Sequence, residues 1–223
     1  MRNAHLTYVK EPACLPMHCV SWPTPPRAAA RIIPRTQISK VTPVSSKVTK
    51  LKPRHRPAPA LDTPTDLSPE AVKAVSEALN TILADSYALY LKTKNFHWHV
   101  SGPHFRDYHL LFDEQAAAIL ANTDDVAERV RKIGGITLKS IGQISKTQTI
   151  EDNEDDYVAP SDMLRELMND HKKIVAFMRE AHGTCDDHED VATASLIEVW
   201  IDEAEKRLWF LFEASRSADS EGH

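Results

Sequence analysis

The sequence predicts an all-α protein: a four-helix bundle with one long crossover, preceded by a disordered, basic, proline-rich N-terminal arm. Three observations predict it. Apolar residues recur at helical spacing in four blocks of roughly 20–29 residues, with almost no strand signal between them. Capping and helix-breaking residues stand at the joins of those blocks. Charge then divides the chain of 223 residues: residues 1–60 hold 11 of the 27 Lys and Arg but a single acid, Glu11, and ten of the 14 prolines. The other 16 basic and 31 acidic residues fall beyond residue 60, so a formal +10 arm precedes a −15 body. A segment so rich in proline and positive charge buries too little apolar surface to fold alone. We therefore divide the chain into an arm (1–66), a bundle (67–216) and a short tail (217–223).

Ser68 and Pro69 supply an N-cap and a first-turn proline, with Glu70 favourable in that turn. Val72, Val75, Leu79, Ile82, Leu83, Tyr87 and Leu91 then carry a first helix to about His97. Ser101-Gly102-Pro103 breaks it. A second helix runs from about Phe105 to Ile133, closed by Gly134-Gly135 after Arg129, Arg131 and Lys132 in its last turns. Residues 136–160 form the long connection, with one short helix around 138–145. A third long helix starts near Ser161 and uses Leu164, Leu167, Met168, Ile174, Val175 and Met178. A fourth follows the acidic run Asp186-Asp187-His188-Glu189-Asp190 and reaches about Ala214. It is expected to bury Leu196, Val199, Trp200, Ala204, Leu208 and Leu211, with Trp209 and Phe212 nearby. Four long helices with one crossover are the arrangement of ferritin-like bundles.

Composition excludes some classes. No stretch approaches the ~20 apolar residues of a membrane span, and the N-terminus lacks the apolar core of a secretory signal. Its prolines also spoil the amphipathic helix of an organellar transit peptide. Cys14, Cys19 and Cys185 are odd in number and without zinc-type spacing, which favours a reducing cytosolic setting.

One stripe of the second helix carries the chemistry. His109 with Asp113, and Asp124 with Glu128, are both i,i+4 pairs, placed symmetrically about a point near residue 118. On a helix the four project at about 0°, 40°, 60° and 100°, a single line of metal-type ligands. The pairs nevertheless lie about 15 residues apart, roughly 22 Å along the axis. One straight helix cannot close a site from both. Two copies crossed antiparallel about their midpoint would set His109 beside the other copy's Glu128, and Asp113 beside its Asp124. The pattern points to metal sites shared across a two-fold interface. Ala116, Ala117 and Ala118 at the centre would allow close approach, although they also serve simply as helix formers. Plainer roles compete: a solvated acidic face, a Glu128 pair with Arg131 or Lys132, or a partly buried His109. Imidazole and carboxylate ligands suit iron or manganese, whereas thiolates would indicate zinc. Such a set leaves coordination positions open for an oxidant and loses metal as pH falls.

The run Lys94-Asn95-Phe96-His97-Trp98-His99-Val100-Ser101-Gly102-Pro103-His104-Phe105 resembles the Dps family, the DNA-protection proteins of starved bacterial cells, also called miniferritins. So do His109-Leu-Leu-Phe-Asp113-Glu114, Asp124-Asp-Val-Ala-Glu128-Arg129 and the ending Trp209-Phe-Leu-Phe-Glu213. The family motif His-x11-His-x3-Asp-x10-Asp-x3-Glu is complete, and the likeness spans about residues 68–216. The resemblance implies a hollow twelve-subunit shell with ferroxidase sites between two-fold-related subunits. It adds His97 as a fifth ligand and iron as the metal, with no organic cofactor. His97, His109 and Asp113 would come from one subunit, Asp124 and Glu128 from its neighbour, with Trp98 close to the iron. Ordinary ferritins build the site inside one bundle from Glu-x-x-His pairs, which the relevant helices here lack. The implied activity is Fe(II) oxidation, preferably by hydrogen peroxide, with storage of ferric mineral and protection of DNA in the bacterial cytoplasm and nucleoid. His99 and His104 have no motif position. The acidic run 186–190 would be an iron entry pore or an ordinary polar loop.

A −15 body should repel DNA, so binding to DNA falls to the arm. Its densest stretch holds Lys47, Lys50, Lys52, Arg54 and Arg56. Twelve such arms would make multivalent, sequence-independent phosphate contacts that weaken with salt. The Pro53-Arg54-His55-Arg56-Pro57 core is similar to an AT-hook, but His55 replaces the central glycine, which leaves plain electrostatic contact. A translation start at Met17 would remove only Arg2 and Lys10. The competing class is a nucleoid-compacting DNA-binding protein in which iron chemistry is secondary.

Overall fold

The structure, a computed structural model, describes residues 61–216; the arm's basic cluster and the C-terminal tail lie outside the described residues. Five helices follow in order: α1 (Pro69–His99), α2 (Phe105–Lys132), α3 (Ile141–Thr147), α4 (Pro160–Asp187) and α5 (Val191–Ser215). No strand occurs among the described residues. No described helix is long and apolar enough to cross a membrane. The four long helices form the ferritin-like bundle, α1 packed along α2 and α4 along α5, with α1 also against α4 and α3 lying on α1.

The helix boundaries follow local chemistry. Ser68 caps α1, its hydroxyl accepting from the Ala71 N–H at 3.1 Å, with Pro69 opening the helix. Gly134 ends α2 with φ +88°, a conformation that favours glycine. At Gly135 the constraint is space: a Cβ there would sit 2.0 Å from Ser76 Oγ on α1. Arg131 bonds the Gly135 carbonyl and also the Leu61 carbonyl at 2.7 Å. Residues 61–66, assigned above to the arm, are thus in part tied to the end of α2. The short helix lies a little later than expected. Asp187 still belongs to α4, so the acidic run starts inside that helix. Asp190 is buried: it caps α5 through the Thr193 N–H at 3.1 Å and pairs with Arg129 at 2.6 Å.

The core falls into two apolar halves. One gathers Val75, Leu79, Ile82, Val126, Ile174, Met178, Ile197 and Trp200; the other Leu89, Phe96, Phe112, Ile119, Leu164, Leu167 and Leu211. A cavity of about 10 Å³ marks the boundary, bordered by residues of both halves together with Ser86, Asn122 and Arg207. Several expected core positions are corrected: Leu91, Leu196 and Val199 are exposed in the single chain, as are Trp209 and Phe212 nearby. Polar residues take up core space instead. Asp85, Thr93, His171 and Thr193 are each 0 % exposed. Asp85 accepts bonds from the Thr149 N–H, the Thr149 hydroxyl at 2.8 Å and the Ile150 N–H at 3.0 Å, and so fixes the crossover onto α1.

Candidate metal centre

His97 sits in the last turn of α1 and His109 in the second turn of α2, facing each other across the bend at Gly102, where φ is +106°. Their rings stack, centroids 3.8 Å apart at 24°. Each ring bonds the other residue's backbone: His97 Nδ1–H donates to the His109 carbonyl at 2.8 Å, and His109 Nδ1–H to the His97 carbonyl at 2.9 Å. A carbonyl only accepts, so both Nδ1 atoms carry hydrogen. In the neutral rings both lone pairs therefore lie on Nε2, the tautomer a metal ligand needs. The reciprocal pair also fixes both ring planes before any metal arrives.

Asp113, one turn after His109, brings its Oδ1 to 3.9 Å from His97 Nε2. Asp113 thus stands close to the histidine pair on the same chain. Asp113 also accepts from Lys94 Nζ at 2.6 Å, and that contact, opposed by some desolvation, holds its carboxyl below the usual range. The sequence motif alone assigns Lys94 no role. Its i,i+3 spacing from His97 was the available signal, since it places both on one helical face. The ammonium occupies the carboxylate oxygen that a cation would otherwise take.

Asp124 and Glu128 lie on the same unbroken α2, both exposed. Their separation from the first pair therefore keeps the helical value of about 22 Å. Glu128 pairs with Lys132 at 3.1 Å, the competing contact anticipated from spacing, with both side chains 57 % exposed. Among the described residues of one chain, no three His, Cys, Asp or Glu side chains are arranged to hold a metal ion. Between the two pairs the ligand-bearing face of α2 carries Ala117 and Leu120, both exposed. One expectation changes: Ala116 is 0 % exposed, packed into its own bundle, so of the three central alanines only Ala117 and Ala118 reach the surface. Trp98 is 58 % exposed, with Lys94 Nζ 6.0 Å from its ring centre. His99 and His104 are exposed and take no part in the cluster.

Comparison with known proteins agrees with this architecture. The family model described as the ferritin-like domain matches residues 76–215. A DNA protection during starvation protein of Agrobacterium fabrum is 32% identical, over 67% of this chain and 92% of its own length. An uncharacterized low temperature-induced protein of Nostoc sp. is 34% identical, over 65% of this chain and 82% of its own length. Among solved structures, DpsC from Streptomyces coelicolor superimposes with TM-score 0.68 at 26% identity, covering 72% of this chain and 94% of that one. Dps from Thermosynechococcus elongatus gives 0.65 at 27%, covering 69% and 98%. With the bundle, the histidine pair and these relatives in agreement, the chain belongs to the ferritin-like superfamily and, within it, to the Dps family.

Proposed function

We propose that the chain is an iron-oxidising and iron-storing miniferritin whose sites are completed by a second copy of itself. The observation that carries this reading is the reciprocal His97–His109 pair, which leaves both Nε2 lone pairs free, with His97 Nε2 3.9 Å from the Asp113 carboxylate. Asp124 and Glu128 are too distant to join them within one chain, and the exposed face between the pairs suits a two-fold contact. Membership of the ferritin-like superfamily supports iron handling, and the name of the Agrobacterium fabrum relative supports DNA protection.

In this reading Fe(II) is the substrate. His97 and His109 supply neutral nitrogen donors; Asp113, with Asp124 and Glu128 of the other copy, supplies negative charge that favours Fe(III) over Fe(II). Two Fe(II) ions bound together would each give one electron to one hydrogen peroxide. Its O–O bond breaks to two hydroxides, and no hydroxyl radical is released. Lys94 must yield Asp113 as the metal enters. Ferric product then collects inside a twelve-subunit shell.

Anaerobic Fe(II) titration of the intact oligomer, followed by peroxide, tests the proposal. The expected result is saturable Fe(II) binding, then its loss on peroxide addition without a spin-trapped radical. An oligomer that retains no Fe(II), or releases radical like free iron, would refute it. The DNA role is proposed for the arm, through Lys47, Lys50, Lys52, Arg54 and Arg56. Deleting residues 1–60 should abolish DNA retardation in low salt and leave Fe(II) oxidation intact; an equal shift by the truncated protein would exclude the arm.

A further inference from the structure

A groove of about 480 Å³ runs between α2 and α5, on a side of α2 that carries none of the five candidate ligands. Its size falls in the ~300–1,000 Å³ range of small-molecule sites. Leu111, Ala118, Ala121 and Phe210 give it apolar walls; Gln115 and Arg207 line it too, with Glu114, Glu203 and Lys206 as its other charged groups. Gln115 is 5 % exposed; its amide N–H donates to the Arg207 carbonyl at 3.0 Å, while its Oε1 is buried without a partner among the described residues. Arg207 makes no side-chain hydrogen bond or ion pair among the described residues, and its Nε is buried. Burial pushes the guanidinium pKa down, opposed by the charge of Glu203, which itself accepts from the Asn122 amide. His171, fully buried and sensing Arg207, is held neutral, so it adds no second cation.

The groove thus combines two unmet demands with an apolar surface. A mostly buried guanidinium calls for an anion, and an orphaned amide oxygen calls for a donor. We propose that the α2–α5 groove binds a small amphipathic hydroxy-carboxylate. Its carboxylate meets Arg207, its hydroxyl donates to Gln115 Oε1, and its apolar body lies along Leu111, Ala118, Ala121 and Phe210. A simple inorganic anion answers Arg207 alone and leaves the apolar walls wet.

Calorimetric titration of the intact, iron-stripped oligomer with 3-hydroxydecanoate, decanoate and decanol tests this, since chelation keeps the carboxylates from binding through metal. Affinity should fall in that order. Arg207→Met should weaken both acids by about tenfold or more while sparing decanol, with Arg207→Lys intermediate because the planar fork is lost. Gln115→Leu should remove only the advantage of the hydroxy acid. Size-exclusion chromatography and helicity confirm that each variant assembles; if Arg207→Met does not, the ligand series and Gln115→Leu decide. Equal binding of all three probes, or none, overturns the proposal.

Discussion

Removing the Asp85 carboxylate should detach the crossover from the bundle. Asp85 is completely buried, and it is the acceptor for two backbone N–H groups and one hydroxyl at Thr149 and Ile150. Bonds to a charged acceptor contribute about 1.5–3 kcal/mol each, and their loss is not additive when they share one group. Asp85→Ala also strands two buried N–H donors, so we expect a destabilisation of about 3–5 kcal/mol. Asp85→Asn keeps one oxygen for the N–H pair and turns an amide N–H toward the Thr149 oxygen. It should lose about 1–2 kcal/mol, and Thr149→Val, which removes a single hydroxyl bond, about 1 kcal/mol. Denaturant unfolding at fixed protein concentration gives the ranking, because assembly contributes to apparent stability. Hydrogen exchange gives the location: the Thr149 and Ile150 amides should lose protection before the helices do. The effect should extend toward the metal end of α1, where the Asn95 amide donates to the Asn153 carbonyl at 3.4 Å and Val158 packs near Phe96. Wild-type stability in Asp85→Ala, with both amides still protected, would refute the reasoning.

Two further outcomes follow from charge. Lys94→Gln frees the Asp113 oxygen, so the intact oligomer should bind Fe(II) up to about fivefold more tightly at neutral pH, the scale of an exposed ion pair. The Asp113 carboxyl should then rise toward the usual range, and Fe(II) binding should begin to fail at a higher pH than in the wild type; calorimetric titration across pH reads both. His171 is fully buried with neither ring nitrogen partnered among the described residues, and desolvation, aided by Arg207, lowers its pKa to about 3 from 6.5. A depressed folded-state pKa gives stability that is complete above about 6.5 and is lost as pH falls toward about 3, near tenfold in the folding equilibrium per pH unit. His171→Leu should flatten that slope in unfolding midpoints measured from pH 7 to 4; an unchanged slope would assign the acid sensitivity elsewhere.

Much of the fold is legible in the sequence because local signals agree. Ser68-Pro69 marks the start of α1, Gly134-Gly135 the end of α2, and helical periodicity fills the space between. The misplacements share a physical cause. Leu196, Val199, Trp209 and Phe212 satisfy the apolar pattern yet lie on the outward side of the single chain. Asp85 and His171 break the pattern yet are buried. Burial of Asp85 depends on Thr149, 64 positions away in sequence, and helical periodicity carries no information about such a partner. The same limit applies at the metal centre. Spacing alone groups His109, Asp113, Asp124 and Glu128 on one face. It does not show that His97 and His109 exchange backbone bonds, or that Lys94 occupies Asp113, because both depend on how the bend at residues 100–104 returns the chain.

The central claim is that each metal site takes residues from two copies, and a complementation measurement tests it most directly. His109→Ala and Asp124→Ala should each form intact oligomers that fail to oxidise Fe(II). Co-assembled in equal amounts, half of the two-fold contacts join unlike copies, and each such contact has one complete site and one doubly defective site. The mixture should recover about one quarter of wild-type ferroxidase activity, as an isologous interface requires. If mixed shells, verified by mass spectrometry to contain both variants, remain as inactive as the separate ones, each site is built within a single chain and the account fails.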